Sequence, residues 1–159
     1  LGETHSTPQV QIEIDQELFL DSVQEGSVIE DAAVATEVTA FERVTDTYVL
    51  EGAIVFSGYT RHPEQEDAVH EERGLDALAL DDESTVGHFH HRLPFVLQVP
   101  MKAQPRGIVN VNSRISSWSL EVISAGWIRI RGDLTLIGLN GNEGYHFDCG
   151  AQEEGDLLF

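Results

Sequence analysis

Cysteine, methionine and tryptophan are scarce in this chain. Its 159 residues hold one Cys, one Met and two Trp. A single thiol, Cys149, excludes an intrachain disulfide framework, as expected for a reducing compartment. Basic side chains are equally thin, with nine Lys and Arg set against 28 Asp and Glu for a formal charge of −19. That balance opposes binding to nucleic acid and to anionic membrane, and it favours basic partners. No stretch approaches the ~20 consecutive apolar residues of a membrane span, and no basic-then-apolar leader opens the sequence. The first residue is Leu1, not Met, which fits a trimmed start.

What the chain does have is alternation. In WIRIRGDLTLIGL, residues 127–139, the even positions are Ile128, Ile130, Gly132, Leu134, Leu136 and Gly138, while most odd positions are polar. A period of two over this length predicts a long strand with one face in a core and the other in water. Eighty residues earlier YVLEGAIVFSGY, residues 48–59, repeats the design with Leu50, Gly52, Ile54, Phe56 and Gly58 in the same phase. A glycine inside a strand weakens it unless the backbone bends, bulges or passes close to another segment, so Gly52 and Gly132 are expected to mark the same corner twice.

Each long strand has a partner just before it. Residues 34–44 alternate, with Val34, Val38 and Val44 in phase, and Thr45 and Asp46 form a plausible hairpin turn. In the second half Trp118, Leu120 and Val122 alternate before a turn at Ala125 and Gly126. Two hairpins eighty residues apart make an internal pseudo-repeat and predict an all-β fold, a two-sheet sandwich or open barrel with each sheet built on one hairpin. Further strands are expected at residues 10–14 (Val10, Ile12, Ile14), at Phe95, Leu97, Val99 and Met101 after Pro94, and at Val109 and Val111 after Pro105 and Gly107. The short run Leu18, Phe19, Leu20 fits either a strand or a helical turn.

The domain plan is therefore a disordered lead-in over residues 1–9, one β domain over 10–150, and an acidic tail or linker start over 151–159. Within the domain, residues 60–87 form an acidic loop in which Glu64, Glu66, Asp67, Glu71, Glu72, Asp76, Asp81, Asp82 and Glu83 outnumber Arg61 and Arg73. Such a run cannot bury itself and is expected to be a solvated loop. As an interaction site its candidates are Glu64, Glu66, Asp67, Glu71 and Glu72, with Leu75, Leu78 and Leu80 as anchors.

Catalytic constellations are few. His88 and His90 in GHFHH share one strand face, the way cupin-type barrels present two metal ligands. The cupin pattern also wants a Glu three or four residues after the second His, and those places hold Leu93 and Pro94. His146 and Cys149 complete a soft site only if folding brings them over, and His62 and His70 belong to the solvated loop. No cofactor is implied. A lectin-like reading would use exposed aromatics at Trp118 and Trp127, which flank the second hairpin turn, although aromatics beside turns more often cap a core.

The order YVLEGAIVFSGYT, acidic loop, HFHHRLPFVLQVPM, then SLEVISAGWIRIRGDLTLIGL resembles the amino-terminal domain of stage VI sporulation protein D and the related domains of spore-coat morphogenetic proteins. VQIEIDQELFLDSVQEGSVIED is similar to that domain's opening strand and the segment after it, so the resemblance spans about residues 10–140. It implies a β-rich scaffold and not an enzyme. Its partners would be other spore-coat proteins, or further copies of itself in a homo-oligomer, and its place the mother-cell cytoplasm at the forespore surface. Some members continue into an acidic low-complexity region, which the acidic tail matches, and a peptidoglycan-type lysin motif, which this sequence does not contain. The family offers no catalytic residues to carry over. The opposing expectations are a metal-dependent cupin-like enzyme and a lectin-like carbohydrate-binding sandwich.

Overall fold

The computed structural model describes residues 7–21, 23–61, 86–108 and 110–150. Its strands are β1 (Gln9–Phe19), β2 (Val28–Val44), β3 (Thr47–Arg61), β4 (Val86–Pro100), β5 (Asn112–Ser124), β6 (Trp127–Ile137) and β7 (His146–Cys149), with a 3-10 turn, Met101–Ala103, closing β4. They form two antiparallel sheets, one of order β1-β6-β5 and one of order β2-β3-β4-β7, packed face to face without closing into a barrel. The expected sandwich is what forms, with one hairpin in each sheet.

The two long alternating strands are the middle of it. β6 lies between β1 and β5, and β3 lies between β2 and β4. Their even-numbered side chains point into the space between the sheets, where Leu50, Ile54, Phe56, Ile128, Ile130, Leu134 and Leu136 are all fully buried. Val10, Ile12 and Ile14 of β1 and Leu93, Phe95, Leu97 and Val99 of β4 complete one cluster. Burying such a side chain stabilises by roughly 1.5–3 kcal/mol.

Gly52 and Gly132 both stand opposite breaks in the ladder of the preceding strand. Gly52 pairs with Val38, after which Thr39 is left over before Ala40. A Cβ at Gly52 would run into the carbonyl oxygen of Glu37 and come within 2.7 Å of the Phe95 ring. Gly132 faces Ser117 and Trp118, the two residues skipped between Ser116 and Ser119, and Ser117 has φ +52°. The corners are alike in position but not in kind. The break at Gly132 matches the one opposite Gly58, where Asp31 has φ +54°.

Several boundaries differ from the alternation alone. The bulge at Thr39 reverses the phase of β2, so Phe41 turns inward to stack on Tyr48 with ring centroids 5.1 Å apart, and Val44 ends up exposed. Leu18 and Phe19 belong to β1, whose pairing with β6 runs on to Phe19. Gly107, at φ +67°, precedes a strand that begins only at Asn112, so Val111 stays outside it and Met101 starts the 3-10 turn. Thr60 and Arg61, and Val86 and Gly87, are strand residues instead of loop.

One side of the sandwich is stitched. Ser113 Oγ of β5 donates to Thr36 Oγ1 of β2 at 2.7 Å, drawing an edge of one sheet against an edge of the other. At one end Gln104 binds both the N–H and the C=O of Asn140, at 2.7 and 2.9 Å, and ties the turn after β4 to the connection between β6 and β7. The opposite side leaves β1 as the outermost strand of its sheet.

Candidate functional site

Two hydrogen bonds settle which backbone groups of β1 face its neighbour. Pro8 C=O accepts from Gly138 N–H at 2.8 Å, and Leu20 N–H donates to Gly126 C=O at 2.6 Å, just outside the two ends of the strand. In an antiparallel ladder, residues that exchange bonds with the neighbour alternate with residues that point away from it. Even-numbered residues of β1 therefore bond to β6. Gln9, Gln11, Glu13, Asp15, Glu17 and Phe19 direct their N–H and C=O groups outward.

The same residues carry the outward side chains, since Val10, Ile12 and Ile14 are buried and Gln9, Gln11, Glu13, Asp15 and Glu17 are exposed. Hydrogen-bonding capacity and negative charge thus fall on one set of positions. Asp15 is gripped by Arg129 of β6 through two bonds of 2.8 Å, Nε to Oδ1 and Nη2 to Oδ2. The hydrogen bonding from Arg129 holds the Asp15 carboxyl below the usual carboxylate range; desolvation opposes it, and the charges of Arg129 and Arg131 add to the lowering. Arg129 is held still more firmly protonated by the same contact. The outer face of this sheet also carries Asp133 and Glu121 against Arg114, so it remains acidic on balance.

At the far end of the row Phe19 and Trp127 form an edge-to-face pair, centroids 5.6 Å apart, and remain 57% and 41% exposed. Trp127 is therefore not the end of the core. Trp118 is half-buried, with its Cβ beside Gly132 on the inner face. The two tryptophans do not make a common platform; Phe19 is the partner of Trp127.

His88 and His90 share the outer face of β4, as their spacing requires. His88 lies against the Tyr59 ring at 5.1 Å and His90 pairs across the ladder with Ser57, while His91 turns inward onto Phe56 at 5.4 Å. The soft site needing His146 and Cys149 is not assembled. Those residues sit on β7, opposite Gln98 and Phe95, and Phe95 is five strand residues from His90, roughly 17 Å away. His146 pairs instead with Asp148 at 3.1 Å. Among the described residues no cluster of three or more His, Cys, Asp or Glu side chains has metal-binding geometry.

Glu64, Glu66, Asp67, Glu71 and Glu72, the acidic-loop candidates, lie outside the described residues, as do His62, His70 and the tail 151–159. Arg61 and Val86, the residues that flank that segment, are register partners at the connected end of the β3–β4 pair. The sequence did not suggest an open groove of about 630 Å³ at the other end, where Asp46, Gln98, Lys102, Tyr145 and His146 converge from separate segments. It presents both charge signs to water and no enclosed pocket. No helix among the described residues is long and apolar enough to cross a membrane.

No family model, curated protein or solved structure matches the chain.

Proposed function

We propose that this domain is an assembly and recruitment module of the bacterial spore coat, placed in the mother-cell cytoplasm at the forespore surface. It works by surface recognition of other coat proteins. The observation that supports this best is the outer edge of β1, which no other described strand pairs with and which offers backbone donors and acceptors in a row; adding a strand to such an edge is a common way for one protein to take hold of another. The resemblance of the hairpin segments to spore-coat morphogenetic domains supplies the cellular setting. The acidic loop with Glu64, Glu66, Asp67, Glu71 and Glu72 would steer basic partners toward that end of the molecule.

A fluorescent fusion expressed in a sporulating cell should collect on the forespore surface. Diffuse fluorescence throughout the mother cell would remove the reading. The shared face of His88 and His90 favours one competing idea, a metal-dependent cupin-like enzyme. Protein purified without chelator is expected to carry no stoichiometric zinc, iron or manganese. Metal present in the wild type and lost in a His88→Ala, His90→Ala double variant would establish the competing reading instead.

A further inference from the structure

We infer that the outer edge of β1, which no other described strand pairs with, is a docking site for one kind of partner, an extended segment with a basic residue at every second position and an aromatic or apolar residue two places before the first of them. The inference rests on the recruitment reading only in taking the occupant to be a protein segment.

Sheet edges are normally protected by bulges, by proline or by a covering strand. Among the described residues the other long edges are interrupted or partly covered, and β7, which ends the second sheet, is only four residues long. β2 and β5 each carry two register shifts and lie side by side, while β4 carries Pro94 and is covered by β7 over residues 95–98. β1 pairs with β6 through eleven consecutive residues without a shift, and it contains no proline. Its outward row is Gln9, Gln11, Glu13, Asp15, Glu17 and Phe19, with no Lys or Arg.

Charge then selects the occupant. A second copy of β1 laid antiparallel along the first puts Glu13 opposite Asp15 and Gln11 opposite Glu17, or with a two-residue slip Glu13 opposite Glu17 and Asp15 opposite itself. Like charges directly opposite destabilise a strand pair, whereas opposite charges stabilise it by roughly 0.2–1 kcal/mol each. The row therefore rejects its own copy and accepts a basic strand. The incoming residues opposite Glu13, Asp15 and Glu17 form hydrogen-bonded pairs with them, so the ladder itself aligns the charges. Register is fixed at the end, where Phe19 and Trp127 present an exposed aromatic pair that an apolar side chain can cover.

The test uses the full chain and two synthetic peptides of identical composition. In YTKTKTKT laid antiparallel, the tyrosine meets Phe19 and the lysines meet Glu17, Asp15 and Glu13; in YTTTTKKK the charge is the same but the alternation is gone. Titration calorimetry should show the alternating peptide binding about tenfold more tightly than the block peptide, and Glu13→Lys with Glu17→Lys weakening it about tenfold. Amide exchange read residue by residue should slow at Glu13, Asp15 and Glu17 and stay unchanged at Ile12 and Ile14, which already bond to β6. Equal affinity for both peptides, protection on β4 at residues 86–93 instead, or no binding at all would each overturn the inference. If it falls while the fluorescent fusion still collects at the forespore, recruitment stands and uses another surface.

Discussion

β1 and β5 are the two edges of one sheet, among the described residues they share β6 as their one ladder partner, and they end the sheet by different means. β5 ends it by shape. It skips residues opposite Gly132 and again near the hairpin turn, holds Ser117 at φ +52°, and leans on β2 through Ser113 and Thr36. β1 ends it by charge alone, in an unbroken eleven-residue ladder. A bulge is a property of the backbone that salt and pH do not alter, whereas a row of carboxylates repels only in the absence of countercharge. One edge is closed to every strand; the other is closed selectively.

The comparison depends on a sound β6 between the edges. Leu134→Asp would put a charge without a partner at a fully buried inner position and should cost at least ~4 kcal/mol. Thermal melting would show it, and both edges would be lost together. A melting temperature equal to that of wild type would mean that β6 tolerates the opposite phase.

Gly132→Val should act on one edge. Its Cβ would come within 3.1 Å of Ile115 Cδ1 and Trp118 Cβ, and the added methyl groups press further into the bulge, an overpacking cost of about 1–3 kcal/mol. Amide exchange should accelerate along β5 before it does along β1. Equal acceleration on both strands would show that the bulge is not a local closure.

Much of the frame could be read from alternation because a period of two reports directly on which face is buried. It placed Leu134, Ile54 and Phe95 inward and gave two hairpins on two sheets. It lost the phase at Val44, since the extra residue Thr39 is a backbone event that no side-chain pattern marks. It left Leu18 and Phe19 open because contiguous apolar residues have no period, and their strand state comes from pairing with Ile128 and Trp127, more than a hundred residues away. For the same reason the acids of β1 were visible as alternate positions but not as an edge. Only the order β1-β6-β5 makes them one. The shared face of His88 and His90 was legible; their separation from Cys149 depended on where β7 joins β4.

Removing the charge should weaken the selectivity of the open edge. Glu13→Gln with Glu17→Gln deletes the Glu13–Asp15 repulsions of the unslipped β1–β1 pair, each about 0.2–1 kcal/mol, and leaves its hydrogen bonds available. Sedimentation should show the variant forming dimers at concentrations where wild type is monomeric. Wild type should approach the variant as salt rises and the screening length falls from ~10 Å at 0.1 M to ~3 Å at 1 M. A variant that stays monomeric at every salt concentration would mean that some feature other than charge guards β1.

The smallest expected effect isolates Asp15, the one acid of the row already matched with a cation. Arg129 lowers its carboxyl pKa in the folded state, while in the unfolded chain it returns to about 3.9. A depressed folded value means that the ion pair stabilises the fold above the unfolded value and that this contribution disappears as pH falls through the folded one. The stability gap between wild type and Asp15→Asn should therefore be level from pH 7 down to about 5 and close progressively below pH ~4. It should be small throughout, because both partners are well exposed and water screens them. Urea unfolding of the two proteins in parallel across that range measures the gap while cancelling the other carboxylates. A gap that persists unchanged to pH 2 would show that the bonds Arg129 donates to Asp15 stabilise the fold independently of the carboxyl's charge, so that the contact is not an ion pair in effect.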